Sequence, residues 1–223
     1  MKRLLIILLI LCLQELLFAQ NEYNSFYLKK EDYKSKVEEF RAKFSHNKII
    51  PIDIEMECLV ALSYYPELKD ALIEFRWKDN LKSTMRMIPT SFSFFFKSKI
   101  KYIIYMNLNA SETKLKINEL SFNAKVGWLG HELSHVTQCH KKKKSEIAAL
   151  GLKLISKKFI AKHERKTDII TIKHDLGYAL YEGSYYVFNN SNVSKKYLSH
   201  LKKNYLNPED ILYWIQQYKK GES

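Results

Sequence analysis

Within Ala71–Asn107 apolar side chains alternate at Ala71–Trp77, and two further short runs, Ser83–Ile88 and Ile100–Asn107, are β-compatible, whereas from Ser121 to Lys219 apolar residues recur at every third or fourth position. Period two belongs to a half-buried strand and period three to four to an amphipathic helix, so this one switch limits the architecture. Three strands are expected, at Ala71–Trp77, Ser83–Ile88 and Ile100–Asn107. Helices are expected over Glu31–Ser45, Asp53–Tyr64, Ser121–His140, Ser145–Ala161, Glu164–Leu176, Tyr178–Asn189, Ser194–Leu201 and Pro208–Lys219. Strands grouped early and helices grouped late specify an α+β chain with a small sheet and a mainly helical C-terminal half. Six Gly and four Pro in 223 residues are too few for a turn-dense β-sandwich. No internal repeat is visible.

The first residues read differently. Met1-Lys2-Arg3 is followed by the apolar run Leu4–Leu13, which Gln14 and Glu15 interrupt before Ala19. About 20 apolar residues are needed to cross a bilayer, so a short run behind a positive head predicts a cleaved signal peptide over residues 1–19. A lipid anchor on Cys12 is disfavoured, because Ile10 and Leu11 are bulky. The expectation is an exported chain, whether periplasmic, extracellular or envelope-associated, with residues 20–223 forming one domain. Cys58 and Cys139 then remain as either a disulfide or two buried thiols.

The chemistry concentrates in Gly127-Trp-Leu-Gly-His131-Glu132-Leu-Ser-His135-Val136. Residues four apart share a helix face, so His131 and His135 can offer two imidazoles to one Zn²⁺. Glu132 stands beside that pair, where its carboxylate can accept a proton from an activated water. A surface helix carrying two solvated histidines would have a polar flank. Here the flank is Val126, Trp128, Leu129, Leu133 and Val136, which suits a buried helix. Cys139 and His140 follow on the same helix. A third ligand eight residues from the first would lie about 12 Å along the axis, too far to share an ion.

A catalytic zinc ordinarily takes three protein ligands. Glu164 and Asp168, again four apart, offer one carboxylate for the metal and one to accept the N–H of a ligating ring. His163 and His174 compete with Glu164 for the third position. A donor for a developing oxyanion is also required, and His174, Tyr181, Tyr185 and Tyr186 are the downstream choices.

His131-Glu132-x-x-His135 followed by Glu164-x-x-x-Asp168 resembles the gluzincin branch of zinc metallopeptidases. That branch contains thermolysin-like enzymes, membrane peptidases of the CAAX-prenyl-protease type and the small minigluzincins. The similarity spans Ile100 to Gly177, about a third of the chain. It implies a zincin-like fold and zinc held by His131, His135 and Glu164, with Glu132 as general base and Asp168 orienting His131. It also implies a peptide or protein substrate aligned on an edge strand, Lys101–Asn107.

The chain carries 37 Lys+Arg against 24 Asp+Glu, a formal +13. Much of the excess lies at 141–161, read as a helix with Ile147, Leu150, Leu154 and Ile155 on one side and lysines elsewhere. Two readings remain: a helix packed on the domain with a solvated lysine face, or a weak contact with an anionic membrane surface. Nucleic acid is not expected, because no binding module is recognisable. The competing functional class is a non-catalytic, zinc-stabilised envelope protein or basic surface-binding module.

Overall fold

The structure, a computed structural model, describes residues 13–14, 26–90, 99–109, 111, 113–190 and 192–221. The expected signal peptide, residues 1–19, therefore lies outside the described residues apart from Leu13 and Gln14. Among the described residues, no helix is long and apolar enough to cross a membrane.

The N-terminal apolar stripe of Tyr33, Phe40 and Phe44 folds as two short helices, α1 (Glu31–Lys34) and α2 (Val37–Phe44). The stripe persists across the break, with Tyr33 and Phe40 meeting edge-on at 5.7 Å. A two-residue strand, β1 (Lys48–Ile49), comes next. The expected Asp53 helix cap is corrected. Ile52–Ile54 is a 3-10 turn, α3 spans Glu55–Ser63, and the Asp53 carboxylate accepts the indole N–H of Trp77 at 3.1 Å.

Three further strands follow: β2 (Leu72–Lys78), β3 (Met85–Pro89) and β4 (Lys101–Asn107). The sheet is mixed and four-stranded, in the order β1-β2-β4-β3. β1 and β4 run parallel to β2, while β3 pairs antiparallel with β4, from Met85 opposite Met106 to Pro89 opposite Tyr102. Among the described residues β4 is thus an interior strand and β3 an edge, a correction to the expected edge at Lys101–Asn107. Sequence order and sheet order differ because β4 enters between its two predecessors.

The long helix α4 (Phe122–His140) lies against this sheet. It starts where Ser121 accepts the Ala124 N–H on its side-chain oxygen at 3.0 Å, a cap for one of the otherwise unpaired first-turn donors. Val126, Leu129, Leu133 and Val136 pack with Ile73 and Phe75 of β2, Ile104 and Met106 of β4, and Cys58 and Leu62 of α3. Cys58 and Cys139 are buried free thiols, which settles that open alternative for the described chain.

The region expected as one helix over Ser145–Ala161 is two, α5 (Lys144–Lys153) and α6 (Lys157–Thr171). The segment Ile172–Leu176 follows with a wide, π-type turn, and Asp175 adopts φ 59° there. The chain continues through α7 (Gly177–Asn189), α8 (Lys195–Asn204) and α9 (Pro208–Lys219). α7 crosses α4 almost backbone to backbone. A Cβ on Gly127 would stand 2.3 Å from the Ala179 carbonyl carbon, and one on Gly183 would stand 2.3 Å from the Trp128 indole nitrogen. Trp128 is shared by the sheet-side core and by the two smaller clusters that α7, α8 and α9 complete.

Candidate metal centre

α4 and α6 present their polar residues to each other inside this packing. On α4, His131 and Glu132 are buried and His135 is half-buried. On α6, Asp168 and Thr167 are buried and Glu164 is half-buried. The His131 and His135 rings meet edge to face at 4.9 Å, as expected for residues one turn apart.

Glu164 Oε2 lies 3.2 Å from His131 Nε2 and 3.2 Å from His135 Nε2. The opposite nitrogens are engaged elsewhere. His131 donates its Nδ1–H to Asp168 Oδ1 at 2.8 Å, since a carboxylate can only accept. Thr167 Oγ1 donates to the His163 carbonyl at 2.9 Å, so it accepts from Gln138 Nε2 at 2.8 Å and from His135 Nδ1–H at 3.3 Å. Both rings are thereby set in the tautomer whose Nε2 lone pair points at Glu164.

Three electron-rich atoms converging on one point repel unless a cation lies among them. Bonds of about 2.0–2.1 Å to a tetrahedral ion would set donors about 3.3 Å apart, which the two 3.2 Å separations match. Among the described residues, His131, His135 and Glu164 form the group of donors that can grip one ion, all within 4.8 Å of one another. Two imidazole nitrogens and a carboxylate oxygen suit a divalent first-row metal.

Without metal the three atoms share protons instead. Burial works against a charged His131, but Asp168 and Glu164 outweigh it and raise the ring well above the ordinary histidine value. Burial likewise opposes ionised Glu164, and the two rings overcome it, holding the carboxyl well below the usual range. His163 is different. Burial, with His135 beside it, pushes that ring down to about 4.

Glu132 completes the centre. Its carboxylate takes a backbone hydrogen bond from Met87 on the edge strand β3, and its Oε2 is buried with no partner among the described residues. Burial raises its carboxyl above the ordinary value, opposed by His135 and His131. An unpartnered buried oxygen is uncommon and leaves Oε2 able to accept a further donor.

The other expected participants are placed elsewhere. His163 rests its ring 5.1 Å from His135 without joining the donor group. His174 stacks on Tyr65 at 4.2 Å, and its two nitrogens meet the Ile170 carbonyl and the Glu67 carboxylate. Cys139 is buried in the core, which raises its thiol to about 11, and His140 sits edge-on to Tyr102. The candidate tyrosines Tyr181, Tyr185 and Tyr186, all on α7, do not line the cleft above the centre: Tyr181 packs against α9, Tyr185 is 52% exposed, and Tyr186 joins the α8 cluster.

The cleft is bounded instead by Met85 of the edge strand and Thr84 just before it, Trp128, Tyr197 of α8 and Tyr205 in the turn before α9. Tyr205 lies with its ring 5.5 Å from that of His131, and Tyr197 shares a 2.9 Å hydrogen bond with Thr84. Asp168 Oδ2 accepts the Leu206 backbone N–H at 2.9 Å, tying this turn to α6. Thr167, Tyr197, Tyr205 and Leu206 were not found from the sequence. No motif marks them, and only Thr167, one turn after His163 and adjacent to Asp168, carried a spacing signal.

No family model, curated protein or solved structure matches this chain.

Proposed function

We propose that the chain is a zinc-dependent metallopeptidase of gluzincin type, with a zincin-like fold and a peptide or protein substrate. The observation that carries the reading is the meeting of His131 Nε2, His135 Nε2 and Glu164 Oε2 beside the orphaned Oε2 of Glu132. His131, His135 and Glu164 would hold the zinc. A zinc ion held there supplies Lewis acidity, polarising a carbonyl oxygen and making water nucleophilic near neutral pH.

The remaining work falls to side chains. Glu132 takes a proton from the attacking water through Oε2 and passes it to the departing amine, a task suited to a carboxyl whose pKa burial has raised. Asp168 and Thr167 keep both rings turned with Nε2 inward. The edge strand β3, with Met87 already bonded to Glu132, lies along the cleft where an extended chain can add to the sheet. The expected export is part of the same proposal and rests on residues 1–19.

Glu132→Gln separates this reading from a metal-stabilised protein without activity. The purified variant is expected to keep one zinc per chain while hydrolysis of an unstructured protein substrate falls by at least about 100-fold. Chelation should abolish hydrolysis by the unaltered chain. Full hydrolysis by the variant, or hydrolysis indifferent to chelator, would overturn the proposal.

A further inference from the structure

The apex between α5 and α6 carries chemistry that the metal centre does not use. Residues 141–163 contain eight lysines and one acid, Glu146, so they hold +7 of the chain's formal +13. Glu146 is already committed, accepting the Lys143 backbone N–H at 2.7 Å. A lysine-rich helix resting on a domain should turn its apolar residues inward. α5 does so with Ile147, which is buried, and with Leu150, which packs against the core. Leu152 and Ile155 do the reverse, at 71% and 79% exposed.

Those two aliphatic side chains stand at the turn between the helices, with Lys153, Lys157 and Lys158 exposed around them. Nothing within the described chain gains from that exposure. An apolar point ringed by cations is complementary to a surface that is anionic outside and apolar just beneath, which is the make-up of a bilayer containing acidic lipids. An acidic protein or nucleic acid would satisfy the lysines but leave Leu152 and Ile155 in water.

We propose that this apex docks onto an anionic lipid bilayer, with Leu152 and Ile155 entering the headgroup–acyl boundary and Lys153, Lys157 and Lys158 contacting lipid phosphates. Docking would hold α6 by its first turn. Glu164 lies seven residues further on, about 10 Å along the helix axis. Phe159 stacks on His163 at 6.0 Å, and His163 rests against His135, so the metal ligands would be carried close to the lipid surface. The proposal does not depend on the centre being catalytic.

The test is co-sedimentation of the full chain with vesicles of phosphatidylcholine alone or with about 30% phosphatidylglycerol, at low and high salt. The apolar run Leu4–Leu13 is present in every variant, so differences between variants report the apex. Leu152→Ser with Ile155→Ser, and separately Lys153→Gln with Lys157→Gln and Lys158→Gln, should each weaken anionic-vesicle binding about tenfold or more. Ile52→Ser, at a position 81% exposed elsewhere on the chain, should not. Amide exchange over 150–160 should slow on anionic vesicles only. Equal binding by all variants, unchanged exchange at the apex, or apex-dependent binding to an acidic polypeptide or DNA but not to vesicles would overturn the proposal.

Discussion

Asp168 faces two ways: one carboxylate oxygen takes the Nδ1–H of His131 at 2.8 Å, and the other takes the Leu206 backbone N–H at 2.9 Å. Both of its partners are donors, so an amide cannot replace it cleanly. Asp168→Asn would turn an NH₂ group against either the ring or the backbone. Metal affinity should fall roughly 10–100-fold, measured by competition with a chromophoric chelator. Unchanged affinity would show that Asp168 does not set the ring.

Thr167 plays the matching part for His135. Its hydroxyl oxygen is buried and accepts the ring N–H while giving its own proton to the His163 carbonyl. Thr167→Val keeps the shape and removes the acceptor, and should lower metal affinity about tenfold. Thr167→Ser should largely restore it. If Val and Ser behave alike in the same titration, the hydroxyl has no role in holding the ring.

The metal-free chain should show a pH dependence of defined sign. His131 has a folded-state pKa raised above its unfolded value, so its contribution is complete below about pH 6.5 and disappears as pH rises through the folded value. Glu164 has a lowered pKa, so its contribution is present above about pH 4.5 and is lost only as pH falls through the folded value. Protons therefore hold the three donors together best in mildly acidic solution. Under the proposed function zinc would take the place of the shared protons, so the rise in Tm on adding zinc should be larger near pH 8.5 than near pH 6. A rise that shrinks toward high pH would contradict the shared-proton account.

Gly127→Ala tests the helix crossing. The new methyl would meet the Ala179 carbonyl group, which is backbone and cannot swing aside. A loss of about 2–3 kcal/mol is expected, seen as a fall of roughly 5–10 °C in Tm. An unshifted melt would mean that α4 and α7 can separate freely.

Much of the centre was legible because its residues obey local helical spacing. His131 and His135, and then Glu164 and Asp168, are pairs four apart, and a capped α4 and a continuous α6 place each pair on one face. The two strands flanking the site were legible as short runs rich in β-compatible residues, but their order was not. Nothing local distinguishes an edge strand from an interior one, so the sequence points to β4 as the edge, a place that β3 holds among the described strands. β1, two residues long, is too short to show a period. The break between α5 and α6 falls at Leu154–Ser156, with neither Gly nor Pro to mark it, and the apolar spacing carries on across it. Tyr197 and Tyr205 reach the cleft only because α8 folds back over α6, a contact between distant parts of the chain that no window of sequence contains.

The bond from Leu206 to Asp168 also dictates when the centre can mature. All three candidate donors precede residue 165, and the ring-setting carboxylate is residue 168, but one of its oxygens lacks this partner until the turn ahead of α9 arrives. A chain ending before Leu206 would carry the three candidate donors without this brace, so any grip on a metal would tighten only once the turn ahead of α9 is in place.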